Sequence, residues 1–196
     1  MQTDNEPLTP RGEIQAKALG LRWLDIRIDY LLSSPLTRAV QTAEAIAYIN
    51  QSNPEIMQMD ILKEQDHGKL FRSYMAAGKI NAANTLRRGC ASSDFDGVVP
   101  RNYRAPEGGE SYNDLVARGA RLLKCLAKMG VELTVPPREL SEEYTSTSLP
   151  DELPKTVPHI VVVSHNLFLS ELYDALHCWG KPEHVGKMFD YQNANW

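Results

Sequence analysis

The chain has 196 residues, 42% of them hydrophobic, which suits one domain with its own core. Its net charge is -4, with a pI of about 5.7, so no general attraction to nucleic acid or to an anionic membrane is expected, and an anionic ligand has to be drawn in locally. No apolar run approaches the ~20 residues that span a bilayer, and the N-terminus lacks the basic and apolar parts of a signal peptide, so we expect a single cytoplasmic domain over residues 1–196. The three cysteines, Cys90, Cys125 and Cys178, form no C-x-x-C pair and are odd in number, which predicts free thiols in a reducing compartment.

Thr9-Pro10 supplies a helix cap followed by a first-turn proline, and Ile14, Ala18 and Leu21 recur at helical spacing, predicting a helix from Thr9 to Leu24. Tyr30-Leu31-Leu32-Ser33-Ser34 reads as a strand, and Ser34-Pro35 repeats the start signal for a helix to Ile49. That helix carries Arg38 in its first turn. Residues Ile56 to Leu62 read as another strand, with Lys63-Glu64-Gln65-Asp66-His67-Gly68 as an acidic loop at its exit. Leu70 to Gly89 is helical in pattern but interrupted by Gly78, and the Gly and Pro content of Gly97 to Gly109 marks a loop. Ser111-x-x-Asp114 is a capping box for a helix that presents Leu115, Leu122, Leu126 and Met129.

From Gly130 to Pro158 five prolines, a Ser/Thr cluster and excess acid predict a flexible insertion loop without regular structure. His159-Ile160-Val161-Val162-Val163-Ser164-His165-Asn166 then reads as a buried strand over Ile160 to Val163 passing into a helix from Asn166 to Cys178. Strands alternating with helices predict an α/β fold: a three-layer α/β/α sandwich with a mostly parallel sheet.

Two of these strand exits carry chemistry. In open parallel sheets the crevice beyond the strands' carboxyl ends is the usual ligand site, and fresh helix N-termini there offer unpaired N–H donors to anions. His165 sits at one such exit, where an imidazole can donate to a phosphoryl oxygen or move protons near neutral pH. Its ordinary alternative is a histidine that closes a strand and bonds a nearby carbonyl. Arg38 opens the helix at the other exit, where a guanidinium fork binds phosphoryl oxygens bidentately, although most arginines on helices are simply solvated. Glu64, beside Lys63 and Asp66, reads by itself as a solvated loop carboxylate. Other chemistries fit less well. His177-Cys178-Trp179-Gly180 opens like a cysteine-phosphatase loop, but His184 stands where that loop needs an arginine. Ser164 lacks the G-x-S-x-G elbow of a serine nucleophile, and no P-loop is present. Arg118, Arg121 and Lys124 read as the wet face of their helix.

Taken together, Glu6-Pro7-Leu8-Thr9-x-x-Gly12-x-x-Gln15-Ala16, Ser33-Ser34-Pro35-Leu36-x-Arg38-Ala39-x-Gln41-Thr42-Ala43, Leu62-x-Glu64-x-x-x-Gly68, Gly108-Gly109-Glu110-Ser111 and Val163-Ser164-His165 resemble the histidine phosphatase (phosphoglycerate mutase-like) superfamily, in an order that covers nearly the whole chain. Asp4-Asn5-Glu6-Pro7-Leu8 and the long segment between Gly68 and Gly108 look most like its TIGAR-type fructose-2,6-bisphosphatase branch. The resemblance implies a phosphomonoesterase that acts on a small phosphorylated metabolite through a phosphohistidine. Arg38, His165 and the Asn166 backbone would hold the phosphoryl group, and Glu64 would protonate the leaving oxygen. No metal or other cofactor is implied, because cationic side chains carry the charge stabilisation. Family members read Ser-His-Gly where this chain has Ser164-His165-Asn166.

The departure from the family lies upstream. The nucleophile of the family belongs to an Arg-His-Gly motif after a first strand, and none of His67, His159, His165, His177 or His184 follows an arginine. We therefore expect the fold to lack its first strand. Four buried aliphatic residues of an interior strand are worth about 6–12 kcal/mol, against ~5–15 kcal/mol for a whole domain. On that ground a chain shortened at its N-terminus, and by the look of Asn193-Ala194-Asn195-Trp196 at its C-terminus too, is expected in preference to an evolved noncatalytic protein. The alternative is a pseudophosphatase that binds a phosphorylated ligand or partner. Substrate choice is expected to lie in Phe71 to Gly109, where Arg72, Arg87, Arg88, Arg101 and Arg104 are all candidate anion contacts.

Overall fold

The structure, a computed structural model, describes residues 5–88, 99–133 and 158–177. In chain order these form α1 (Pro10–Arg22), β1 (Tyr30–Ser33), α2 (Thr37–Ile49), β2 (Ile56–Gln58), a 3-10 turn (Asp60–Leu62), α3 (Gly68–Ala76), α4 (Ile80–Arg88), α5 (Tyr112–Leu133), β3 (Ile160–Val163) and α6 (Asn166–His177). The strands make one parallel sheet in the order β2-β1-β3, with Leu31 opposite Ile56 on one side and Val161 on the other.

Alternation along the strands builds the layers, because successive side chains point to opposite faces. Leu31, Val161, Val163 and Ile56 pack with Leu19, Ala43 and Ile46 of α1 and α2. Leu32, Tyr30, Ile160 and Val162 pack on the other face with Leu115, Leu122, Leu167, Phe168 and Leu172 of α5 and α6. This is an α/β/α sandwich. Leu31 and Leu32 are fully buried in the central strand, whereas all four residues of β3 are only half-buried, so the expectation of a buried strand at Ile160 to Val163 is corrected. Among the described residues β3 forms one edge of the sheet, and its side chains lack a neighbour on that side.

Several boundaries move for local reasons. The Thr9 hydroxyl accepts the Gly12 N–H at 3.2 Å, so α1 starts as its sequence predicts. The next helix does not start at Ser34-Pro35: Leu36 is extended and α2 begins at Thr37, whose N–H is capped by the Asn5 side chain at 2.5 Å. Ser34 is occupied elsewhere, as described below. The segment expected as a strand to Leu62 pairs only to Gln58 and then tightens into the 3-10 turn, which swings the chain towards α5. The helical stretch around Gly78 is two helices, separated where Gly78 adopts φ +70. The capping box is formed, with Ser111 N–H donating to Asp114 Oδ2 at 2.8 Å and Asp114 N–H to Ser111 Oγ at 3.2 Å. From there α5 runs on to Leu133, so Gly130 to Leu133 belong to a helix rather than to the predicted insertion. Residues 134–157 of that insertion, Cys90, Cys178 and His184 lie outside the described residues, and Cys125 is a free thiol.

Candidate functional site

β1 and β3 are adjacent and parallel, so their carboxyl ends bring Ser34 and His165 side by side. His165 Nε2 lies 2.8 Å from Ser34 Oγ. The same oxygen accepts the Leu36 N–H at 3.3 Å, which holds the turn from β1 into α2. Arg38 is the second residue of α2, half-buried, and its charge reaches His165. Burial first, then Arg38, then Arg118 push the His165 imidazole from its ordinary value near 6.5 down to about 3. At neutral pH the ring is therefore neutral, held between two guanidinium charges. A neutral ring next to the Arg38 charge at a helix N-terminus suits an anion.

Asn166 is the first residue of α6, exposed, and its side-chain oxygen accepts the Ser170 hydroxyl at 3.3 Å. The side chain thus turns back along its own helix, and the N-terminal N–H groups of α6 stay at the strand's exit beside His165.

Glu64 lies in the loop after the 3-10 turn, half-buried, with Oε1 accepting the Gln65 N–H at 2.9 Å. Two contacts tie its loop to the His165 segment. The Ser164 hydroxyl donates to the Leu62 carbonyl at 2.6 Å. Arg118, in α5, donates to the carbonyls of Ile61 (3.0 Å), Lys63 and Glu64 (3.4 Å) and stands over the Phe168 ring of α6, 4.6 Å from its centroid. Beyond the loop, Gly68 is in the left-handed region at φ +82, where a Cβ would meet the Pro106 carbonyl oxygen at 2.3 Å. Only glycine lets the loop lie this close to the segment before Gly109.

The structure overturns the reading of Arg118 as a solvent-facing residue. It is 7% exposed, while Arg121 and Lys124 do face solvent. The sequence carried a signal for this: Ser111, Leu115, Arg118 and Leu122 recur at 4, 3 and 4 residues, which places the arginine on the buried stripe. Ser34 and Glu110 were also missed as partners, because nothing in their spacing says which distant groups they meet.

The five arginines near Phe71 to Gly109 separate. Arg72 pairs with Asp66 (2.5 Å), Arg101 with Glu171 (2.6 Å) and Arg104 with Asp114 (2.5 Å), so these three have carboxylate partners within the fold. Arg87 has no such pair among the described residues and instead borders, with Gln65, His67, Tyr103, Glu110 and Tyr112, a shallow dent next to the Glu64 loop. The side chain of Arg88 lies outside the described residues. No three His, Cys, Asp or Glu side chains gather as metal ligands among the described residues.

A parallel sheet with an arginine and a histidine at neighbouring strand exits, in an α/β/α sandwich, has the architecture of the phosphoglycerate mutase-like folds. The sequence pattern of the histidine phosphatase superfamily (branch 1) matches residues 1–135, and the chain belongs to that superfamily. Fructose-2,6-bisphosphatase TIGAR B of Danio rerio is 29% identical over 176 residues, which cover 83% of this chain and 62% of that protein. The chain thus spans less than two thirds of that relative's length. Among solved structures, a phosphoglycerate mutase from Bacillus anthracis superposes with a TM-score of 0.56 at 20% identity, covering 88% of this chain and 69% of the other. A mycobacterial glucosyl-3-phosphoglycerate phosphatase does so with a TM-score of 0.56 at 22% identity, covering 90% and 70%. These two are likenesses of fold. No helix among the described residues is long and apolar enough to cross a membrane.

Proposed function

We propose that the crevice at the ends of β1 and β3 binds the phosphoryl group of a small phosphorylated metabolite, and that the chemistry this site serves is phosphomonoester hydrolysis. The observation that carries the reading is the parallel pairing of β1 and β3, which sets Arg38 in the first turn of α2 and His165 at neighbouring strand exits, joined by the 2.8 Å contact of His165 Nε2 with Ser34 Oγ, with the Arg38 charge acting on the imidazole. In this reading the Arg38 fork and the α6 N–H groups at Asn166 receive the phosphoryl oxygens. His165 takes up a proton as the anion arrives and donates to it. Glu64 supplies the proton to the leaving oxygen and afterwards helps to activate water. Arg87, beside the Glu64 loop, is a candidate contact for the remainder of the metabolite. The fructose-2,6-bisphosphatase relative supports a sugar phosphate as the ligand class.

The 196 residues contain no Arg-His-Gly motif. The phosphohistidine step of the proposed hydrolysis therefore has no nucleophile of the family kind in this sequence, and turnover by this polypeptide should be slow, since removing a covalent nucleophile costs on the order of 10^6 in kcat in well-studied hydrolases. A second reading is a pseudophosphatase that holds a phosphorylated ligand or partner. Calorimetric titration with sulfate or phosphate tests the shared element. The native protein should bind, and Arg38→Ala should weaken binding by about tenfold or more, the worth of a charge-assisted contact; equal affinities in both would sink the assignment. Release of phosphate from p-nitrophenyl phosphate, lost in Glu64→Gln, separates hydrolysis from binding alone.

A further inference from the structure

We propose that Arg118 is the positioning residue of this site, fixing the Glu64 loop against the helix that follows His165. This rests on the role given to Glu64 above.

The geometry is a buried hub. One Arg118 nitrogen, Nη1, donates to the Ile61 and Lys63 carbonyls, and the other, Nη2, donates to the Glu64 carbonyl and to Glu110 Oε2 at 2.9 Å. Glu110 Oε2 in turn accepts the Asp66 N–H at 3.0 Å, the Glu110 N–H donates to the Asp66 carbonyl at 2.7 Å, and the Gln65 amide donates to the Glu110 carbonyl at 2.8 Å. The loop from Ile61 to Asp66 is therefore gripped by one guanidinium from inside and by Glu110 along its outer run. The guanidinium also lies over the face of Phe168, three residues after His165, in the fully buried core. A shift of the loop relative to α6 breaks several of these contacts at once.

Only arginine can do this. The planar fork points separate N–H donors at four acceptors, whereas a lysine ammonium in the same place has three donors at a single point and cannot span them. The arrangement also gives a part to Gly109-Glu110-Ser111, whose glutamate has no place in the proposed proton transfers: Glu110 is the counter-charge of the hub. Its Ser111 opens the helix that carries Arg118 two turns later, so grip and cap are built from one short segment.

The test uses the whole chain and Arg118→Lys, which keeps the charge and loses the fork, with Arg121→Lys on the exposed face of the same helix as control. Amide hydrogen exchange is read at Asp66 and Glu110 and, for reference, through α2, together with sulfate affinity. Arg118→Lys should accelerate exchange at Asp66 and Glu110 by at least about tenfold relative to α2, with sulfate affinity changed less than about threefold. Where p-nitrophenyl phosphate is turned over, kcat should fall at nearly constant KM. Unchanged loop exchange, or an acceleration shared equally with α2, would overturn the proposal, because Arg118 would then be inert or merely part of the core. Loss of sulfate binding with an unaltered loop would overturn it too. If Arg118→Lys does not fold, Glu110→Ala carries the same expectation at the residue 110 amide, whose acceptor, the Asp66 carbonyl, the substitution leaves in place. Absence of sulfate binding in the native chain would defeat the proposed phosphoryl site, while the exchange data would still judge whether Arg118 fixes the loop.

Discussion

His165 Nε2 and Ser34 Oγ lie 2.8 Å apart across the ends of two neighbouring parallel strands, and both residues are buried. The serine hydroxyl can serve either state of the ring. It donates to a bare Nε2, and it accepts from a protonated one with a lone pair left over from the Leu36 N–H. The pair therefore lets an imidazole change its charge without losing its partner.

Ser34→Ala should for that reason cost more than a surface serine. It strands the buried Nε2 and removes the acceptor of the Leu36 N–H, and an unsatisfied buried group costs about 1–3 kcal/mol. Urea unfolding at neutral pH measures this. A loss below about 0.5 kcal/mol would mean that water or another group replaces the hydroxyl.

Stability should decline with acid before the carboxylates titrate. The folded-state pKa of His165 is depressed to about 3 while the unfolded chain keeps a value near 6.5, so between these values the unfolded state binds the extra proton. The stabilisation is complete above about pH 6.5 and is lost as pH falls below it, by up to about 1.4 kcal/mol for each pH unit. Asp29 and Asp114, whose carboxyls are held below their ordinary value, add their own loss only below about pH 4. Denaturant melts at about pH 7 and pH 5, in the native protein and in His165→Asn, isolate the histidine. Equal slopes in both proteins would show that His165 is not the group responsible.

Anion binding should draw a proton onto the same ring. Sulfate keeps its double negative charge across the neutral range, so any pH dependence of its affinity reports on the protein. If His165 becomes charged when the site fills, affinity should rise as pH falls from about 8 to about 5, by up to about tenfold per unit. Titration calorimetry in buffers of different ionisation enthalpy counts the proton directly. A flat profile would mean that the ring stays neutral and acts only as a neutral donor.

Gly68→Ala is expected to be among the most damaging single-methyl changes in the chain. The left-handed backbone itself costs a residue with a Cβ roughly 1–2 kcal/mol, and the added carbon would stand 2.3 Å from the Pro106 carbonyl oxygen. Relief requires the Glu64 loop and the segment before Gly109 to separate. Thermal unfolding should show a drop of several degrees, and Gly108→Ala, which meets nothing within 4 Å, should show less. The reverse ranking would place the tight contact elsewhere.

Much of the frame could be read along the chain, because it depends on neighbours in sequence. Thr9-Pro10 and Ser111-x-x-Asp114 cap α1 and α5 as their residue types require, and the β-branched run at Ile160 to Val163 is the strand that delivers His165 to its end. Arg38 and His165 were recognisable at strand exits, and parallel order makes those exits neighbours. The 3-10 turn at Asp60–Leu62 was not recognisable, since its apolar residues read as a strand until the contact with α5 bends them away. The burial of Arg118 was signalled only by its place on the Ser111-Leu115-Leu122 stripe, and its partners were not signalled at all. A single charged side chain on an apolar stripe is ambiguous until the fold converges three carbonyls, one carboxylate and one aromatic ring upon it. The same holds for Ser34, which is a cap by its local signal and a partner of His165 by its place in space. Caps, alternation and helical period act over a few residues, and the sequence by itself determined those. Which guanidinium satisfies which carbonyl across 54 to 57 residues of chain was decided only when the layers packed, because buried polar groups take whatever partners tertiary contact brings within reach.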